Sequence, residues 1–178
     1  MSLSGIKIGF GICGSFCTFE KAFKSAKELV SQGAELFPIM SFNASGISTR
    51  FGTAEENIKK IEDICSHKLI NTIEDAEPIG PKKMIDALII APCTGNTLAK
   101  LAHSIADGPV TMAAKSHLRN GRPVLIAVST NDALAGAAEN IGKLLARKHY
   151  YFVPFGQDNA NSKPTSMVAD FTKIPDAL

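Results

Sequence analysis

The sequence predicts a three-layer α/β fold, a parallel sheet with helices on both faces. Three observations predict it. Short runs rich in β-branched residues alternate with segments of helical periodicity. The run Ala87-Leu88-Ile89-Ile90-Ala91 is apolar at every position, as a strand buried on both faces requires. The 178 residues are 45% hydrophobic and 20% charged, enough for one self-sufficient core.

Taken in order, Ile6 to Cys13 reads as the first strand and breaks at Gly14-Ser15. Thr18 is placed to cap a helix whose stripe is Phe19, Ala22, Phe23, Ala26, Leu29 and Val30, stopped by Gly33. Glu35 to Met40 is a second strand despite Pro38. A polar loop spans Ser41 to Gly52, and Thr53-Ala54-Glu55-Glu56 makes a capping box before a helix bearing Ile58, Ile61 and Ile64. Residues 71–85 read as a connector. The buried strand Asp86 to Ala91 follows, then helices near Asn96–Ser104 and Pro109–Asn120. Next come the strand Pro123–Val128, a helix near Gly136–Lys148 and a short strand Tyr150–Val153. Residues 1–178 are expected to form a single Rossmann-like (flavodoxin-like) domain, with its core at about 6–156 and a tail at 157–178.

In such sheets ligands bind beyond the carboxyl ends of the strands. Those ends are Cys13–Cys17, Ser41–Ala44, Pro92–Thr97 and Ser129–Asp132, each rich in hydroxyl, amide or glycine residues. Gly14-Ser15-Phe16-Cys17-Thr18 opens a helix, where free N–H groups and the positive end of the macrodipole suit a phosphate. Ser15 or Thr18 serving only as a cap is the alternative. The segment Ala91 to Ala102 offers Thr94, Asn96 and Thr97 at the start of another helix, a second platform facing the first. Gly9-Phe10-Gly11-Ile12-Cys13-Gly14 matches G-x-G-x-x-G, but its first glycine falls inside the strand. A dinucleotide site also wants an acid after the second strand, where Met40-Ser41-Phe42-Asn43 has none. An NADP-type site could use Arg50 or Ser41 instead.

A formal net charge of +2, with no basic run, argues against nucleic acid or an anionic membrane surface as partner. No apolar run reaches membrane-spanning length and the N-terminus lacks a signal-peptide pattern, so a cytoplasmic protein is expected. Cys13, Cys17, Cys65 and Cys93 lack C-x-x-C spacing and read as buried reduced thiols, with Cys93 and Cys17 the two near the predicted site. His67, His103, His117 and His149 show no metal-ligand spacing, so no metal is expected.

From the Gly14-Ser15 turn, the Pro92-Cys93-Thr94-Gly95-Asn96-Thr97-Leu98-Ala99-Lys100-Leu101-Ala102 segment, Ile105-Ala106-Asp107 and Gly121-Arg122-Pro123, the chain resembles the flavoprotein family. That family contains flavin-dependent cysteine decarboxylases and flavin prenyltransferases, and the resemblance covers roughly residues 6–156. It implies an FMN site at Gly14, Ser15, Phe16, Ser41, Thr94, Asn96 and Thr97, and assembly into a homo-oligomer. The chain departs from the family's decarboxylases in two places. It has Glu77-Pro78-Ile79-Gly80-Pro81 where they carry a histidine, and Ser129-Thr130-Asn131-Asp132 in place of Pro-x-Met-Asn.

Within the family the resemblance is strongest to one chain of a two-component, NADP-linked oxidoreductase of sporulation. There a nicotinamide-binding partner is implied, and the substrate is a small dicarboxylate. Independent FMN chemistry and a non-catalytic role are the alternatives. A dicarboxylate needs cationic donors, and Arg50 in its glycine-flanked loop can grip a carboxylate in bidentate fashion. Lys163 is a weaker form of the same idea. Asn131 and Asp132 complete the candidate catalytic set, with Asp132 and Asp107 the groups able to move protons.

Overall fold

The computed structural model describes residues 2–178. Seven strands form one sheet: β1 (Lys7–Ile12), β2 (Glu35–Met40), β3 (Ala87–Cys93), β4 (Val124–Thr130), β5 (Tyr150–Phe152), β6 (Phe155–Asn159) and β7 (Lys163–Ala169). β2, β1, β3, β4 and β5 lie side by side in that order, all parallel. This is the flavodoxin-like arrangement, whose chain reversal leaves a crevice between β1 and β3.

Helices cover both faces. On one, α1 (Phe19–Ser31) and α3 (Ala54–Cys65) bury Phe19, Phe23, Leu29 and Ile61 against Phe10, Leu36 and Ile89. On the other, α5 (Gly95–Ala102), α6 (Pro109–Leu118) and α7 (Ala138–Leu145) bury Leu98, Val110 and Leu144 against Ile90, Ile126 and Val128. Successive β3 and β4 residues serve opposite cores, which explains why both strands read as unbroken apolar runs. The capping box at Thr53 and Glu56 forms as expected.

Three expectations are corrected. The polar loop after β2 contains a short helix, α2 (Phe42–Gly46), whose first turn Ser41 caps by accepting from the Ala44 N–H (3.3 Å). The connector before β3 contains α4 (Ile73–Ala76) and a 3-10 turn at Glu77–Ile79, packed on α6. Most consequential, the residues read as a tail form the β6–β7 hairpin, so the sheet is mixed. β5 pairs with the first half of β4, and β7 runs antiparallel to its last residues, Ser129 and Thr130. β5 leaves the carboxyl half of that edge open, and an open edge carries unpaired backbone groups that a returning strand can satisfy. After β7, Phe171 and Ile174 return to the α1 core, where Ser25 Oγ donates to the Phe171 carbonyl (2.9 Å).

Gly9 and Gly11 both lie within β1 and do not form a phosphate-binding turn. A Cβ on Gly9 would come within 2.7 Å of Ile85 Cδ1, so this glycine makes room for core packing.

His117 on α6 is fully buried, with Nε2 against the Pro123 carbonyl (3.1 Å) and Nδ1 unpartnered. Burial, the largest cause, pushes its pKa down from 6.5 to about 4. An unfolded chain therefore binds the proton first as pH falls, and stability contributed by neutral His117 is lost between about pH 6.5 and 4. From pH 7 to 5 the loss attributable to this residue is about 2 kcal/mol. Urea unfolding at both pH values should show a shallower pH dependence in His117→Gln by that amount. Equal slopes would contradict a buried neutral imidazole.

Candidate functional site

The carboxyl ends of β1, β3 and β4 converge on two adjoining clefts. The larger, about 780 Å³, is lined by the turn after β1, the start of α5, the end of β4 and the hairpin. The smaller, about 310 Å³, lies between α2 and the first turns of α5 and α6. Gly14, Thr94 and Asn96 face both.

Backbone and side-chain bonds tie the turns together. The Cys13 N–H donates to the Pro92 carbonyl (3.1 Å), and Thr97 Oγ1 donates to Cys13 Sγ (3.2 Å). The hydroxyls of Ser15 and Ser129 share a hydrogen bond (2.8 Å), and Thr18 Oγ1 donates to the Ser15 carbonyl (2.8 Å). Neither Ser15 nor Thr18 caps a helix through its side chain; a 3-10 turn at Phe16–Thr18 intervenes before α1. The capping expectation for Thr18 is thus corrected, because a buried Ser129 hydroxyl competes for these groups.

At α5, Thr94 caps by accepting from the Thr97 N–H (3.4 Å). The first-turn amides of Gly95 and Asn96 have no intrahelical acceptor. Asp132 lies against this helix end at Gly95. Its Oδ1 accepts from Thr130 Oγ1, and a Cβ on Gly95 would meet both groups at 2.8 Å. Only glycine lets the carboxylate approach so closely. A carboxylate of the chain itself thus lies beside the helix end on the larger cleft's side. The smaller cleft is lined by Ser41, Asn43, Thr94, Asn96 and Thr97.

Every sequence-predicted cofactor residue faces one or both clefts. Ser15 and Phe16 face the larger, Ser41 and Thr97 the smaller, and Gly14, Thr94 and Asn96 both. Arg50, Asn131 and Asp132 line the larger. Arg50 sits on a tight two-residue turn closed by reciprocal Thr49–Gly52 backbone bonds (3.0 and 3.1 Å), which makes a short finger of a segment read as an irregular loop. Its guanidinium packs 4.9 Å from the Phe51 ring and makes no ion pair among the described residues. Asp107 pairs with Lys100 (2.9 Å) beside the smaller cleft, which holds its carboxyl below the usual range.

Sequence reasoning missed Ser129, Thr130, Asp158 and Ser166 as individual wall residues. The amide- and hydroxyl-rich end of β4 signalled the first two, whereas nothing local signalled the hairpin. Cys93 is fully buried and burial pushes its thiol well above the usual range, while Cys65 is pushed up to about 12. Both are inert. Cys17, expected to be buried, is exposed on the wall of the larger cleft. Among the described residues no histidine lines either cleft and no cluster could hold a metal ion. No helix of the described residues is long and apolar enough to cross a membrane.

A crevice at the β1/β3 reversal, lined by hydroxyl, amide and glycine residues together with Phe16 and Phe51, suits a phosphorylated aromatic ligand. The chain belongs to the Flavoprotein family, which it matches over residues 1–172.

Inside that family, it is 48% identical to the B subunit of dipicolinate synthase from Bacillus subtilis, over 99% of this chain and 88% of that protein. The crystal structure of the corresponding B subunit from Bacillus halodurans superposes with a TM-score of 0.90 at 42% identity, covering 99% of this chain and 90% of that one. The FMN-dependent cysteine decarboxylase SpaF shares the fold, with a TM-score of 0.73 at 24% identity over 99% of this chain and 97% of its own.

The connector segment Glu77–Pro81 packs on the carboxyl half of α6 through Gly80 and Ser116. None of its residues lines either cleft.

Proposed function

We propose that this chain is the B subunit of a dipicolinate synthase. It would act with a nicotinamide-binding A subunit in the NADP-linked oxidation of a dihydro- or hydroxytetrahydro-dipicolinate to dipicolinate during sporulation. The observation that carries this reading is the 48% identity to the Bacillus subtilis protein across nearly the whole chain. The site agrees with it: a polar cleft large enough for a flat ring, with an arginine at its mouth that makes no ion pair among the described residues.

FMN is the cofactor these residues fit. Ser41, Thr94, Asn96 and Thr97 would hold its phosphate, with Gly14, Ser15 and Phe16 beside the rest of the molecule. When bound, FMN supplies a reversible acceptor for a hydride. In the overall oxidation of the dihydro compound, NADP carried by the partner would supply the final hydride acceptor, which leaves one substrate proton for a base on this chain. Asp132, whose oxygen accepts from the Thr130 hydroxyl, would take that proton. Arg50 would draw a substrate carboxylate to the mouth, and the exposed Asn131 lines the same cleft at the end of β4. Phe42, Ile47 and Phe51, within ten residues of one another after β2, leave large apolar surface exposed, which supports a homo-oligomer as part of this reading.

The test is dipicolinate formation by this chain mixed with the A subunit and NADP, with and without FMN. The reading expects product only when both chains are present, at a rate that FMN raises. Full activity of the A subunit alone would refute the subunit role. Tight FMN binding with turnover in the absence of any partner would favour an independent flavin enzyme.

A further inference from the structure

The larger cleft has a second cation, brought there by the hairpin. β7 begins at Lys163, and the stem is fastened to the end of β4: Thr165 Oγ1 donates to the Asn131 carbonyl (2.7 Å), and the Leu134 N–H donates to the Thr165 carbonyl (3.0 Å). These bonds set Lys163 over the cleft on the β4 flank. Arg50 comes from the opposite flank, on the segment that follows β2. The polar turns after β1, β3 and β4 lie between them. Asp158 holds the Lys163 ammonium (2.9 Å), yet a lysine has three donors, so two stay available.

We propose that Lys163 is the second carboxylate anchor of this site, set against Arg50, and that Asp158 is the residue that positions it. The inference rests on the dicarboxylate reading above and deepens it. Arg50, with no ion pair among the described residues and mounted on a closed turn, takes one carboxylate; Lys163 takes the other; Phe51, beside Arg50, supplies apolar surface on the same wall. A monocarboxylate satisfies only one anchor, so the pair selects diacids. Charge-assisted bonds of this kind are worth enough for a tenfold or greater preference.

Binding of pyridine-2,6-dicarboxylate and pyridine-2-carboxylate, followed by titration calorimetry on the FMN-supplied chain alone and in complex with the A subunit, tests it. The wild-type chain is expected to prefer the diacid by on the order of tenfold. Lys163→Met should bring that ratio close to one while leaving monoacid affinity unchanged, and Lys163→Arg should restore it. Arg50→Met should weaken both acids. Lys163 is 57% exposed in its side chain and its ion pair is a surface one, so the methionine variant is expected to fold; the retained monoacid affinity reports that it has. If the wild type prefers the diacid and Lys163→Met keeps the full preference, the second anchor is refuted while the dicarboxylate reading stands. If the wild-type chain binds neither acid under any of these conditions, the dicarboxylate reading itself falls, and the anchor with it.

Discussion

Replacing Arg50 with alanine is expected to lower kcat/KM of the two-subunit enzyme by on the order of 10- to 100-fold. The arginine is exposed, makes no ion pair among the described residues, and rests on Phe51, a ring that is itself 46% exposed. Stability gains nothing from such a placement beyond a surface cation–π contact of about 0.5–1 kcal/mol. The variant should therefore melt within a degree or two of the wild type while losing activity. The loss should appear mainly in KM if the guanidinium holds substrate and transition state equally, and in kcat as well if it aligns the ring. Raising ionic strength should weaken the wild type more than the variant, because the lost interaction is between charges near solvent. Unchanged turnover in Arg50→Ala would remove this residue from the site.

The largest stability effect is expected far from the clefts, at Gly80. Its backbone is ordinary right-handed helical (φ −76°, ψ −62°), so conformational freedom is not what glycine supplies. Space is. A Cβ there would overlap the Ser116 carbonyl oxygen and lie 2.5 Å from Ser116 Oγ and 2.7 Å from the carbonyl carbon. Those atoms belong to the α6 backbone and its first side-chain atoms, which cannot swing aside as a flexible side-chain tip would. The close approach is held by Gly80 N–H donating to Ser116 Oγ (2.9 Å), Ser116 Oγ to the Glu77 carbonyl (2.5 Å) and Asn120 Nδ2 to the Gly80 carbonyl (2.8 Å). Gly80→Ala must push the connector off α6 and strain or break these bonds. A cost of about 3 kcal/mol or more follows from overpacking plus lost buried hydrogen bonds. For a chain of this length that lowers Tm by roughly 6–12 °C. A variant melting within 2 °C of the wild type would mean that the connector is not held against α6 as described.

The two predictions draw on different layers of information. Arg50 stands out in the sequence because a glycine-flanked arginine beside a strand end has few structural duties. Gly80 does not stand out, since a glycine next to prolines in a connector reads as a turn. Its contact with Ser116, 36 residues away, belongs to tertiary packing.

The site itself is legible to about the same depth. The hydroxyl- and amide-rich loops at Gly14–Thr18 and Pro92–Thr97 can be placed together because parallel strands deliver their carboxyl ends to one edge. How their groups are spent cannot be read. Ser15 pairs with Ser129, and Asp132 lies against the start of α5 at Gly95. Such assignments depend on which of several competing donors and acceptors lies nearest, and sequence spacing is blind to that.

By itself, then, the sequence determined the alternation of strands and helices, the burial of β3 and β4 on both faces, the capping box at Thr53 and the family. All of these rest on local periodicity or contiguous motifs. Only the tertiary structure decided the hairpin and what it carries. β6 and β7 are mostly polar and half exposed, so they lack the period-two pattern that marks a strand. They are strands because β5 stops at Phe152 and leaves the backbone of Ser129 and Thr130 to be paired. That unpaired edge turned an apparent tail into the wall that holds Lys163 opposite Arg50.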